Sequence, residues 1–171
     1  MESKEKTEKV WYALYVKSRT EKKVAIELEG IDIDFYLPLE KKLKQWSDRK
    51  KWVEEPLFRS YIFVHITPKE YYKVLQARGA VKYISFEGKA VPVPPQQIDA
   101  IKIYLAEIDP IQNEDVIWEE GKEVEVMAGN LIGLKGILIK AKGKNRVKVE
   151  IEVVGSAIIL NIPRKHLRII G

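Results

Sequence analysis

The spacing of apolar residues changes once along this chain, and that change limits the fold more than any other feature. From Gly121 onward no helical period appears. GKEVEVMAG, KGILIKAKGK, NRVKVEIEVVG and SAIILNIPRK are short runs alternating apolar with polar residues, separated by turns that contain glycine. A period of two puts alternate side chains on opposite sides of a strand. The last third of the chain is therefore expected to form a small β-barrel of about five strands. About fifty residues suffice for such a barrel, although one that small is only marginally stable alone.

Ahead of residue 108, strand and helix patterns alternate instead. In WYALYVKS (11–18), Trp11, Ala13 and Tyr15 share one face and Tyr12, Leu14 and Val16 the other. Residues 19–30 read as a helix with Val24, Ile26 and Leu28 apolar and Gly30 as its stop. IDIDFYLP resumes strand character as far as Pro38. KKLKQWSDRKKW then reads as a hairpin turning at Ser47-Asp48. YIFVHI (61–66) is a strong strand, Pro68 starts a helix to about Ala77, and Gly79 ends it. Residues 81–86 form a strand, Glu87-Gly88 a turn, and 95–107 a helix with proline at its start. This order predicts an α+β sandwich on an antiparallel sheet.

Charge divides the chain in the same place. Residues 1–107 carry 20 basic and 16 acidic groups, 108–120 carry five acids and no base, and 121–171 carry 10 basic and 4 acidic groups. The expected organisation is a domain over 1–107, an acidic linker over 108–120 containing Pro110, and a basic barrel over 121–171. With no cysteine, disulfides and thiolate metal sites are excluded. His65 and His166 lack metal-ligand spacing. No nucleophile, base or phosphate-cradling loop stands out, so neither enzymatic activity nor a cofactor is expected. MESKEKTEKV has no apolar core of a signal, and no apolar run reaches membrane-spanning length, so a cytoplasmic protein without a membrane partner is expected.

The two sheet faces differ in kind. Tyr12, Leu14, Val16, Ile62, Val64 and Ile66 would pack beneath helices. Trp11, Tyr15, Tyr61, Phe63 and Phe86 form an aromatic set on the opposite face. If helices cover one side only, the aromatic side is free for a partner; a third helix or the hairpin would otherwise cover it.

Several motifs occur together in order: WYALYVKSRTEKKVA, FYLPLEKK, PLFRSYIFV, GAVKYISFEGKAVPVP and, later, VEVMAGNLIGLKGIL. The first four resemble the N-terminal domain of NusG-like transcription elongation and antitermination factors. The last resembles the KOW motif that opens their C-terminal SH3-like barrel. QWSDRKK followed by VEEPLF looks like the UpxY-type specialised antiterminators, relatives of RfaH that act on polysaccharide-biosynthesis operons. Two departures separate the chain from the general factor. Arg59-Ser60 stands where that factor has Pro-Gly, and Val154 and Ser156 stand where it has Phe and Arg for contacting a ribosomal protein.

The resemblance implies a monomer that binds RNA polymerase and suppresses pausing or termination. Tyr15, Phe58, Tyr61, Phe63 and Phe86 fall on positions that grip the clamp helices of the largest subunit, and Glu70, Tyr71 and Tyr72 on those that touch the gate loop. Lys17, Arg19, Lys22, Lys23 and Arg78 correspond to a surface facing the non-template DNA strand, where cations neutralise phosphates. Within 41–51 the hairpin carries six bases and one acid. Trp46 between the lysines, with Arg49 and Lys50, suits stacking plus phosphate contact with nucleic acid. Gly129, Gly133 and Gly136 match the KOW pattern, and the barrel is expected to take nascent RNA or a ribosomal protein. The competing expectation is an RNA-binding or ribosome-associated protein, because an open aromatic sheet beside a basic barrel also holds single-stranded RNA.

Overall fold

A computed structural model describes residues 8–106, 116–117, 121–141, 144–162 and 164–171. The chain divides into two compact units, Met1–Val93 and Pro94–Gly171. The boundary expected near 107 would keep the third helix with the first unit, whereas the division at Val93/Pro94 groups it with the second. Of the expected linker, 108–115 and 118–120 lie outside the described residues, and Val116–Ile117 form a short strand.

The first unit contains β1 (Val10–Val16), α1 (Glu21–Gly30), β2 (Asp34–Tyr36), β3 (Leu39–Gln45), β4 (Lys50–Pro56) and β5 (Tyr61–Ile66). A 3-10 turn, Pro68–Glu70, leads into α2 (Tyr71–Leu75), followed by β6 (Ala80–Tyr83), β7 (Ser85–Phe86) and β8 (Lys89–Ala90). The main sheet runs β2-β5-β1-β6 and is antiparallel throughout. Its register pairs Tyr12 with Val64, Leu14 with Ile62 and Tyr15 with Tyr61, so the alternation read in the sequence sorts the two faces. Leu14, Val16, Ile62, Val64 and Ile66 pack with Val24, Ala25 and Leu28 of α1 and with Val74. Burying each of these aliphatic side chains contributes about 1.5–3 kcal/mol relative to exposure. Ile26 lies two residues from both Val24 and Leu28, a spacing that turns it away from their face, and it is exposed.

Two elements depart from the sequence expectation. The helix expected over 68–77 is a 3-10 turn followed by five α-helical residues. The strand expected over 81–86 breaks at Ile84. There the Ile84 amide donates to Ala13 O (3.0 Å) and the Ile84 carbonyl accepts from Val91 N (2.9 Å). The chain then leaves the main sheet and turns back through Glu87-Gly88, both at positive φ, as a separate β7-β8 hairpin.

The second unit comprises α3 (Pro95–Ala106), β9 (Val116–Ile117), β10 (Glu123–Val126), β11 (Lys135–Ala141), β12 (Lys144–Ile151), β13 (Ser156–Asn161) and β14 (Leu167–Ile169). The strands form an antiparallel sheet ordered β13-β12-β11-β10-β14, with β9 beside β11. Val147, Val149 and Ile151 on β12 alternate inward and join Val124, Val126, Ile158 and Leu160 in the core, as period-two patterning requires. No helix among the described residues is long and apolar enough to cross a membrane.

Candidate functional site

The hairpin of β3 and β4 stands apart from the packed core of the first unit. Its register runs Leu39↔Pro56 to Gln45↔Lys50, and Trp46 N donates to Arg49 O (2.8 Å), leaving Ser47-Asp48 as the tip. Residues 41–52 are all exposed. Acids cluster at the root, where Lys42 pairs with Glu40 (2.9 Å) and Glu55 (3.9 Å), and Lys44 pairs with Glu55. The hydrogen bond from Lys44 holds the Glu55 carboxyl below its ordinary range, and that to Glu40 raises Lys42. Lys41, at the root opposite Glu54, forms no ion pair among the described residues, and neither do Arg49, Lys50 and Lys51 toward the tip. Trp46 is 56% exposed there. Sequence reading passes over Trp52, which is 66% exposed and pairs across the ribbon with Leu43, 49% exposed. Its position follows once the turn is fixed at 47–48, because that turn sets every cross-strand pair.

The five-residue cation set around α1 separates into two groups. Lys17 N donates to Gly79 O (2.8 Å), and Arg78 N to a Glu27 carboxylate oxygen (2.7 Å). These bonds tie the end of β1 and the α2-β6 turn to α1, with Lys23 one helical turn before Glu27. Lys22 instead reaches the hairpin, its Nζ donating to Glu54 O (2.7 Å). Arg19 and Lys22 line a cleft of about 450 Å³ with Lys44, Glu54 and Arg59. Thus Lys17, Lys23 and Arg78 are exposed around Glu27, and Arg19 and Lys22 face the hairpin root. Glu21, which the sequence did not single out, also lines this cleft and is the buried charged residue among those described.

The aromatic set also divides. Tyr15 and Tyr61 meet edge to face at 5.7 Å and remain partly exposed. Phe63 is fully buried and packs edge to face with buried Phe58 at 6.1 Å, and Ala13 beside it on the same face is buried too. The centre of this face is therefore core rather than open surface. Trp11 stacks on His65 at 4.5 Å, with 12° between the rings. Phe86, carried off the sheet on β7, is 72% exposed.

At the start of α2, Glu70 closes a capping box. Its carboxylate accepts from Thr67 N (2.8 Å) and Thr67 Oγ1 (3.1 Å). The bond from the Thr67 backbone holds the Glu70 carboxyl below its ordinary range. Tyr71 stacks on Tyr83 (4.3 Å), and its carbonyl accepts from the Tyr83 hydroxyl (2.7 Å). Burial, then the neighbouring Tyr71, pushes the Tyr83 phenol up. Of the residues 70–72, only Tyr72 presents its side chain fully outward, at 75% exposure.

In the second unit Gly129 and Gly133 occupy positive φ, at 80° and 87°. At Gly136 a Cβ would stand 2.6 Å from Lys148 O and Val147 Cγ1, so only glycine lets β11 approach β12 there. Val154 is buried and Ser156 exposed. Strands β11 and β12 pair up to Ala141↔Lys144, and residues 142–143 lie outside the described residues. Among the described residues no three His, Asp or Glu side chains cluster as a metal site.

Comparison with known proteins adds a family and a fold. The profile of the family described as NusG, transcription termination factor nusG, matches residues 9–102. A structure titled for domain interaction in Thermotoga maritima NusG superposes with a TM-score of 0.53 at 20% identity, covering 95% of this chain and 98% of that one. At that identity it supports the fold alone. A looser likeness, TM-score 0.32 at 20% identity over 94% of this chain and 96% of the other, is to a chain of the MjSpt4:Spt5 complex, conformation B.

Proposed function

The chain belongs to the NusG family, whose members are transcription factors and not enzymes, and from that premise we propose that it acts on transcribing RNA polymerase as a specialised antiterminator. In this reading the first unit bridges the polymerase clamp and the opposite jaw, keeps the bubble closed and suppresses pausing. Tyr15, Tyr61 and Phe86 contact the clamp helices, and Phe58 and Phe63 support them from within. Tyr72 meets the gate loop, with Glu70 and Tyr71 holding its helix in place. Lys17, Lys23 and Arg78 meet the non-template strand. The strands of the second unit act as a KOW barrel that recruits a further partner.

One observation carries the reading. Beside a buried Phe58–Phe63 pair, Tyr15 and Tyr61 stay partly exposed and Phe86 is largely exposed. Accessible aromatics supported by a packed base suit a protein interface, because they bury large area with few rotors to freeze. Assignment to the UpxY/RfaH type, and to a polysaccharide-biosynthesis operon, rests on QWSDRKK, VEEPLF and the Arg59-Ser60 replacement. The test is co-purification with RNA polymerase. The full chain should retain polymerase, and Tyr61→Ala with Phe86→Ala should lose it while keeping the parent's melting temperature. Undiminished binding by the folded double variant would remove the aromatic assignment.

A further inference from the structure

We propose that the β3-β4 hairpin holds nucleic acid on both of its faces and so straddles two strands, Trp46 serving one and Trp52 the other. This rests on the nucleic-acid reading of the hairpin. In an antiparallel ribbon, directly paired residues share a face and successive residues alternate. The pairs Leu43↔Trp52, Lys44↔Lys51 and Gln45↔Lys50 therefore sort the side chains into two sets. One face carries Lys44 and Lys51 and, continuing to the tip, Trp46 and Arg49. The other carries Leu43, Trp52, Gln45 and Lys50, with Lys41 and its cross-strand partner Glu54 toward the root. Each face thus presents an exposed indole with basic side chains near it, Arg49, Lys44 and Lys51 around Trp46 and Lys50 beside Trp52.

Ribbon stability alone does not account for Trp52. A cross-strand pair with Leu43 contributes only about 0.2–1 kcal/mol, yet most of the ring faces solvent. The charge pattern indicates what covers it. The acids Glu40 and Glu55 pair with Lys42 and Lys44 at the root, and Glu54 lies opposite Lys41 there, so the outer hairpin is left positive by Arg49 and Lys51 on one face and by Lys50 on the other. That arrangement complements phosphate, and a free indole stacks on an unpaired base whatever its sequence. The two rings lie on opposite sides of one ribbon, so a single stacked strand does not reach both without passing around the tip. The ligand that satisfies both faces is a pair of diverging unpaired strands next to a duplex.

The experiment titrates the full chain with a forked DNA, with one unpaired arm alone and with the blunt duplex, and repeats the fork with one RNA arm to separate DNA from RNA recognition. On the fork, Trp46→Ala and Trp52→Ala should each weaken binding about five- to one-hundred-fold. On the single arm, where either face serves, each alone should cost about twofold and the double variant should lose binding. Trp52→Phe should rescue the fork, whereas Trp52→Leu, which keeps apolar cross-strand packing, should not. If Trp52→Ala matches the parent on the fork while Trp46→Ala does not, the second face is refuted and the single-face reading stands. Equal rescue by leucine and phenylalanine would also refute it, assigning Trp52 to ribbon packing. Full binding by the double variant would overturn the nucleic-acid reading of the hairpin itself.

Discussion

The Ser60 amide donates to a Glu21 carboxylate oxygen at 2.9 Å, and this bond holds a turn in a backbone region that serine rarely adopts. Ser60 has φ 67°, Tyr61 N closes the turn on Phe58 O at 3.3 Å, and Val16 N donates to Ser60 O at 2.8 Å. A Pro-Gly turn would meet the positive φ without cost, since glycine lacks the Cβ that clashes there. Here the first turn of α1 supplies the restraint instead. Glu21→Ala should destabilise the first unit by about 1 kcal/mol, the cost of losing a charge-assisted bond to the part-buried Ser60 amide. Ser60→Gly should raise stability by at most about 1 kcal/mol, strain relief offset by glycine's freedom in the unfolded chain. Urea denaturation of both variants checks the pair of signs.

Burial separates the aromatic residues into two classes with opposite mutational signatures. Phe63→Ala should cost about 3–5 kcal/mol, because the ring is fully enclosed. Phe86→Ala should leave the melting temperature close to the parent's, because the ring is mostly in solvent. Thermal melts of the two single variants test this division without reference to any partner.

The basic residues of α1 should also diverge. Lys23→Gln should weaken binding to a transcribing complex about equally on any template. It should flatten the salt dependence by roughly one unit of log-log slope for each phosphate that is no longer neutralised. Lys22, whose Nζ is held by Glu54 O at 2.7 Å, should show the smaller slope change of the two. Arg78, whose guanidinium can bond bidentately to a guanine edge, should affect the cognate template more than unrelated ones when changed to alanine. A salt series on two templates measures all three.

Glu70 gives a pH-dependent signature. Its carboxyl is held below its ordinary value of 4.5 by the bond from the Thr67 backbone. A depressed carboxyl stabilises the fold above the unfolded value, and that contribution fades as pH falls through the folded one. Glu70→Ala should therefore cost about 0.5–1 kcal/mol at neutral pH, and the gap to the parent should narrow as pH falls below 4.5 through the lower folded value. Paired denaturation curves at pH 7 and pH 3 resolve it.

Period-two alternation makes the main sheet legible, since Leu14, Val16, Ile62, Val64 and Ile66 sort to the helix side as their spacing requires. The hairpin tip at Ser47-Asp48 is legible from turn chemistry. Alternation says which face a side chain takes but not whether that face is covered, and so Phe63 reads like Tyr15 and Tyr61 although it is buried. Phe86 leaves its expected face because backbone pairing passes at Ile84 from Ala13 of β1 to Val91 after β8, a change of partner that alternation does not encode. Lys22 and Lys23 look equivalent in the sequence, and only the hairpin's position separates them. Glu21 gives no signal, because a buried carboxylate at a helix start looks like an ordinary first-turn acid.

Single-round transcription by purified RNA polymerase on a template with a long leader and a terminator tests the central claim most directly. Added full chain should increase read-through and shorten pauses, and Tyr61→Ala with Phe86→Ala should remove the effect. Pausing and termination unchanged by the parent chain, at concentrations that saturate the polymerase, would contradict the account.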